Sequence, residues 1–248
     1  MQVLVTSYEI PLVALSFLLA VVGSFISLYA ARRIIRRDGT VDGIDLLIAS
    51  ISLGGVGVWS MHFVGMLALN IPVAHGYSML ETIVSAIAAV GGTAAALVVV
   101  ARKPGDLRRM AAAGTLLGLG VCVMHYLGMY GMRFGGVFDW SFALLALSVL
   151  IAIVAATAAL WLAFNIRTIN GTFMAAVVMG VAVCAMHYTG MAAADFVCYT
   201  NKPASSLGGG ILTPADLSSA VIVAIIGIAA VLGADQAYHA LSRKTATR

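Results

Sequence analysis

The sequence predicts an all-α membrane protein: seven transmembrane helices, three two-helix repeats plus a seventh helix, with the N-terminus outside and the C-terminus cytoplasmic. Three observations carry this. Of 248 residues, 62% are hydrophobic and only 10% charged, with a mean hydropathy of +1.04, where a soluble domain carries about 25% charged residues. The charges fall in short clusters between apolar runs of about 20 residues, long enough to cross a bilayer as helix. The pattern of a membrane barrel, alternating over about ten positions, is absent. Finally, one six-residue word occurs three times. Residues 61–66 read Met-His-Phe-Val-Gly-Met, 124–129 Met-His-Tyr-Leu-Gly-Met and 186–191 Met-His-Tyr-Thr-Gly-Met. A word returning at a period of about sixty residues marks an internal repeat.

Residues 1–9 carry no Lys or Arg, so the first apolar run, 10–31, reads as a retained span rather than a signal peptide. It ends in Arg32, Arg33, Arg36 and Arg37, followed by the turn signal Asp38-Gly39. Span 2, about 44–70, holds the first word near its end, and the connection after it contains Pro72, His75 and Gly76. Span 3, 79–101, is rich in Ala and Val and stops at Arg102-Lys103-Pro104-Gly105. Span 4, 110–132, holds the second word, again near its end. Span 5 is 141–164, and span 6, 172–194, ends with the third word. The longest connection, 195–217, contains Gly208-Gly209-Gly210, and span 7 is 218–240. The whole of 1–248 is expected to be one domain. Its many small residues suit close packing of transmembrane helices.

Basic residues orient the bundle. The loops 32–43, 102–109 and 165–171 and the tail hold twelve Lys/Arg, whereas the opposite set holds Arg133 and Lys202. By the positive-inside rule the first set is cytoplasmic. Spans 2, 4 and 6 then run outward, and all three words lie near the outer face. The net charge of +4 reflects this loop bias, not nucleic-acid binding. Three cysteines, Cys122, Cys184 and Cys198, imply no disulfide framework.

An ionisable side chain inside a membrane span is a functional-site candidate by default. Here His62, His125 and His187 share a depth. On a helix, positions i, i+3 and i+4 share a face. This puts Met66, Met129 and Met191 on the histidine faces, with Trp59, Cys122 and Cys184 one turn earlier. Met61, Met124 and Met186 are turned about 100° away. Imidazole with thioether suits a soft or borderline transition metal, Cu(I) above all. Zinc prefers His with Cys or carboxylate and stays open through Cys122 and Cys184. Haem is open only given a cleft for the macrocycle. Tyr126 and Tyr188 are expected to pack. Asn70, Arg133 and Asp195, each eight residues after a histidine, are expected to mark where the helices leave the membrane. An Arg133–Asp139 pair is expected in the outer connection, and Asp235 is a candidate to pair with a loop arginine. His75 and His239 read as interfacial. A metal transporter or chaperone, and a metal-free subunit whose histidines hydrogen-bond across helices, are the alternatives to a sensor. A transporter would spread its ligands through the membrane depth.

The three words, spaced this way in seven spans, resemble the MHYT-domain family of bacterial membrane sensors. Met186 to Thr189 matches the family word letter for letter, and the other words depart at Phe63 and Leu127. The resemblance implies an integral sensor of the bacterial inner membrane that binds copper and senses O₂, CO or NO. Carried over by position, the ligands are Met61 and His62, Met124 and His125, Met186 and His187, with Met66, Met129 and Met191 as further candidates. It also implies a cytoplasmic partner that makes or breaks cyclic di-GMP, or a histidine kinase. No Gly-rich phosphate loop or acidic catalytic pair is present, so the chain is expected not to be an enzyme itself.

Overall fold

A computed structural model describes residues 2–36, 38–103, 105–166, 168–199 and 210–246. Among them, helices α1 (Ile10–Ala31), α2 (Gly43–Leu67), α3 (Met79–Ala101), α4 (Leu107–Tyr130), α5 (Phe142–Asn165) and α6 (Ile169–Ala192) are long and apolar enough to cross a membrane. The chain is a multi-pass membrane protein. A further helix, α7 (Pro214–Ala246), carries a shorter apolar stretch, Pro214–Ala230.

The even helices start earlier than their apolar runs suggest, because a polar residue caps each. Asp42 accepts from the amides of Ile44 and Asp45, Asp106 from Arg108 and Arg109, and Thr168 from Gly171. Each cap satisfies helix-end donors that otherwise lack partners. The same helices also end earlier, at Leu67, Tyr130 and Ala192, because the next residues turn into strands.

Those strands are the main departure from the expected all-α chain. They are β1 (Gln2–Val3), β2 (Ser7–Tyr8), β3 (Leu69–Asn70), β4 (His75–Ser78), β5 (Met132–Phe134), β6 (Gly136–Trp140), β7 (Ala194–Cys198) and β8 (Ile211–Leu212). Pairing is antiparallel and forms three small sheets, β1-β7-β6, β2-β3 and β5-β4-β8. Each strand before an odd helix pairs with the strand after the next even helix: Tyr8 faces Leu69, Tyr77 faces Met132, and Trp140 faces Ala194. The result is three clipped units, β2-α1-α2-β3, β4-α3-α4-β5 and β6-α5-α6-β7. Backbone groups just past a helix end need partners, and the strands supply them.

Around the bundle, α1 lies against α2 and α6, α3 against α2 and α4, and α5 against α4 and α6. Without a hydrophobic force between helices in lipid, contact depends on close van der Waals packing. At Gly54 of α2 a Cβ would come within 2.8 Å of Val90 Cα on α3, and at Gly118 of α4 within 2.7 Å of Ile153 Cα on α5. α7 rests on α2 and on the β4–β8 pair.

α2 is not a plain α-helix. Ile51–Ser60 is wound as π-helix, and the α-helix resumes at Met61. Asp42 precedes His62 by 20 residues, whereas Asp106 precedes His125 by 19 and Thr168 precedes His187 by 19. The i→i+5 bonding of a π stretch takes up one extra residue, which keeps His62 in phase with the other two.

In the cap, Arg133 does not meet Asp139 as expected. Its guanidinium lies 2.5 Å from Glu81. Asp139 is held on β6 directly opposite Asp195 on β7. Asn70 reaches Glu9 at 3.3 Å. All three residues at this position of the repeat thus lie on strands past the helix ends. His75 Nδ1 lies 3.1 Å from the Val73 carbonyl. The side chains of Asp235 and His239 lie outside the described residues.

Candidate metal centre

The three capped helices deliver their histidines to one point. His62, His125 and His187 are 0%, 1% and 1% exposed. Their Nδ1 atoms form a triangle with edges of 3.1, 3.1 and 3.2 Å. The rings stand edge to face, with centroids 4.9 to 5.1 Å apart.

The opposite edge of each ring is seated on a glycine of another unit's word. A Cβ at Gly128 would come within 2.9 Å of His62 Cδ2, one at Gly190 within 2.9 Å of His125 Cδ2, and one at Gly65 within 3.0 Å of His187 Cδ2. The glycine inside the word is therefore a floor for the neighbouring imidazole, a closer role than helix packing alone. All three Nε2 atoms are buried with no hydrogen-bond partner.

Hydrogen bonds within the triad cannot satisfy all three edges at once. A neutral imidazole nitrogen is either donor or acceptor, never both. In a triangle of three such nitrogens at least one edge must pair like with like. Placing the protons on Nε2 leaves three lone pairs converging on one point, which suits a cation. Three nitrogens bound tetrahedrally at about 2.0 Å would be roughly 3.3 Å apart, so the observed edges fit a single ion with a small expansion. The triad is the one such group of His, Cys, Asp or Glu found among the described residues.

The methionines of the words are all buried. Met66 and Met129 are fully enclosed, and Met61, Met124 and Met191 join them in the main core. Met186 instead packs with Cys122 and Ala152 in a separate apolar cluster. Cys184 is half-buried and free, and Cys198 sits on β7 with its thiol 3.5 Å from the Gly135 carbonyl. On the histidine faces, Val58, Val121 and Val183 each precede a histidine by four residues. With Leu53, Leu117 and Met186 they line an apolar cavity of about 30 Å³. Such a space offers water no polar partner.

Tyr126 and Tyr188 do more than pack. The Tyr126 hydroxyl lies 2.5 Å from Ser148 Oγ, and that of Tyr188 lies 2.9 Å from Ser16 Oγ. The word alone gave no sign of these serines, which lie on the neighbouring odd helices.

The MHYT family model, described as a bacterial signalling protein N terminal repeat, matches residues 55–113, 118–176 and 180–242. The bifunctional diguanylate cyclase/cyclic di-GMP phosphodiesterase MucR of Pseudomonas aeruginosa is 41% identical over 78% of this chain and 29% of its own length. The signaling protein YkoW of Bacillus subtilis is 32% identical over 79% of the chain and 25% of its own length. The cyclic di-GMP phosphodiesterase NbdA of Pseudomonas aeruginosa is 35% identical over 75% and 24% respectively. The chain therefore spans less than a third of the length of these relatives, in which it matches the MHYT region. No solved structure matches it. The chain belongs to the MHYT family and is a membrane sensor domain of the kind carried by cyclic di-GMP signalling proteins.

Proposed function

We propose that the chain is a sensor module whose His62, His125 and His187 hold one copper ion near the outer membrane face through Nδ1. The observation that carries this reading is the buried Nδ1 triangle, whose three edges internal hydrogen bonds cannot all fill. Copper is favoured over zinc by charge. The group holds no carboxylate or thiolate, and an uncompensated charge costs more in a low-dielectric interior as it grows, so a monovalent ion suits neutral ligands. Of the two cysteines that kept zinc open, Cys122 packs with Ala152 and Met186 and Cys184 against the main core. Of the thioethers of Met66, Met129, Met191, Met61, Met124 and Met186, at most one would join the three nitrogens, and Met186, which packs with Cys122 and Ala152, is the one least suited to do so.

Bound copper would supply a one-electron couple and a coordination position for O₂, CO or NO. The chain's own residues do the rest. The word glycines fix the ring planes, the cap strands clip the helix ends, and the apolar cavity beside the histidine faces leaves room for a small uncharged molecule. The basic loops support an N-out, C-in orientation with the triad toward the outside of the inner membrane. α7 crosses as a seventh span and carries the state of the site inward. It lies on the π stretch of α2, where a Cβ at Gly55 would come within 3.3 Å of Ile228. The partner is a cytoplasmic unit that makes or breaks cyclic di-GMP, as the names of MucR and NbdA suggest.

The test is metal content of detergent-purified chain after reduction and competition between Cu(I) and Zn(II). One copper per chain, lost in His62→Ala, His125→Ala and His187→Ala, is expected. Metal retained in all three mutants would sink the site, and zinc taken in preference would overturn the choice of ion.

A further inference from the structure

The three units are tied to one another by a polar contact that repeats around the ring. Ser16, Ser85 and Ser148 occupy the same place, the sixth residue after the start of α1, α3 and α5. All three are 0% exposed. Each spends its single proton on the carbonyl three residues back: Ser16 on Val13, Ser85 on Thr82, Ser148 on Leu145. A hydroxyl has one proton and two lone pairs, so each serine is left as an acceptor.

Each accepts from the word region of the preceding unit. Tyr126 donates to Ser148, and Tyr188 to Ser16. In the first word the tyrosine is replaced by Phe63, which has nothing to donate. There the indole N–H of Trp59 reaches Ser85 Oγ at 3.2 Å and the Thr82 carbonyl at 3.1 Å. Trp59 stands where the other two units have Cys122 and Cys184. The donor has moved one turn along the helix while the acceptor has stayed. The rings keep equivalent niches throughout: Phe63 against Tyr77, Tyr126 against Trp140, Tyr188 against Tyr8. A hydroxyl at position 63 would therefore enter the niche that its counterparts use.

We propose that Trp59, Tyr126 and Tyr188 are positioning residues: each donates across a unit boundary, Tyr126 to Ser148, Tyr188 to Ser16 and Trp59 to Ser85 together with the Thr82 carbonyl, and these bonds fix the spacing of the three histidines, with Trp59 substituting for the hydroxyl that Phe63 lacks. Each donor sits next to a histidine or one turn before it, so slack at a boundary opens one edge of the Nδ1 triangle. The link to metal rests on the reading above. The bonds do not.

The experiment compares wild type, Trp59→Phe, Trp59→Phe/Phe63→Tyr, Ser85→Ala, Ser148→Ala and the triple variant that adds Ser85→Ala to the double. Cu(I) affinity is read by chelator competition, and melting temperature by scanning the metal-free chain in detergent. Trp59→Phe should lower affinity roughly tenfold, the low end for losing an outer hydrogen-bond partner of a metal site, and Ser85→Ala by less, since it leaves Trp59 the Thr82 carbonyl. Adding Phe63→Tyr to Trp59→Phe should restore it, and the restoration should vanish when Ser85 is Ala. Ser148→Ala removes the acceptor of Tyr126 and leaves the ring packing intact, so it decides the matter should Trp59→Phe fail to fold: wild-type affinity there overturns the proposal as well. Wild-type affinity in Trp59→Phe, or rescue by Phe63→Tyr that survives the loss of Ser85, overturns the proposal. A wild-type chain that takes up no metal sinks the copper reading alone. The same order of rescue in melting temperature then decides whether the boundary bonds exist.

Discussion

Replacing Gly128 by Ala should separate folding from metal binding. The added methyl would lie 2.9 Å from His62 Cδ2. His62 Nε2 would lie closer still, and heavy atoms in good contact sit about 3.5 Å apart, so the ring or the helix must yield by roughly 1 Å. Overpacking of this kind costs about 1–3 kcal/mol. Ala is favoured over Gly within a helix by about 1 kcal/mol, so the net loss of stability should be about 0–2 kcal/mol. Metal binding has no such offset. His62 Nδ1 is one corner of a triangle with 3.1 Å edges, and a shift of that size spoils two edges. Affinity should fall ten- to a hundredfold, as for a lost supporting contact. Gly91→Ala is the control, since a Cβ there meets nothing within 4 Å. It should leave affinity unchanged and stability equal or higher. The assays are Cu(I) competition and thermal melting of the same preparations. Full affinity in Gly128→Ala would refute the claim that the word glycines seat the imidazoles.

Other outcomes follow from the same geometry. Cys122→Ala and Cys184→Ala should leave metal content unchanged by elemental analysis, since Cys122 packs among apolar side chains; loss of metal would revive a zinc site. Asp42→Ala should cost about 1 kcal/mol in melting experiments through loss of the α2 cap. The Arg36 guanidinium holds the Asp42 carboxyl below the usual carboxylate range. This contribution is therefore complete above the ordinary carboxylate pKa and fades as pH falls through the lowered one. Wild type and Asp42→Ala should then melt alike in acid, and a difference that persists there would contradict the assignment. Glu81→Gln should loosen the cap by about 1 kcal/mol or less, because its partner Arg133 is partly exposed; hydrogen exchange in β4 and β5 would report it.

Much of the site was legible in the sequence because the repeat is strict where chemistry needs it. The spacing of His62, His125 and His187 gave a shared depth, whereas their meeting at one point depends on how the three units close into a ring. Other features were readable only by comparing units. The π stretch of α2 shows as one extra residue between Asp42 and His62, a signal visible once Asp106 and Thr168 are recognised as the matching caps. Ser16, Ser85 and Ser148 sit in helices without a shared word, so the boundary bonds emerge only when the units are superposed. The strands were hidden for another reason. Each has two to five residues, and within the units its partner lies some sixty residues away, so neither local alternation nor turn signals announced it. Arg133 found Glu81 rather than Asp139 because β5 pairs with β4, which leads directly into α3.

X-ray absorption at the copper edge of the Cu(I)-loaded chain tests the central claim most directly. Three imidazole nitrogens at about 2.0 Å, with at most one thioether sulfur beside them, and a shell that shrinks in His125→Ala, is the predicted result. A shell dominated by sulfur, or one that is unchanged in His125→Ala, would contradict a centre built on the three Nδ1 atoms.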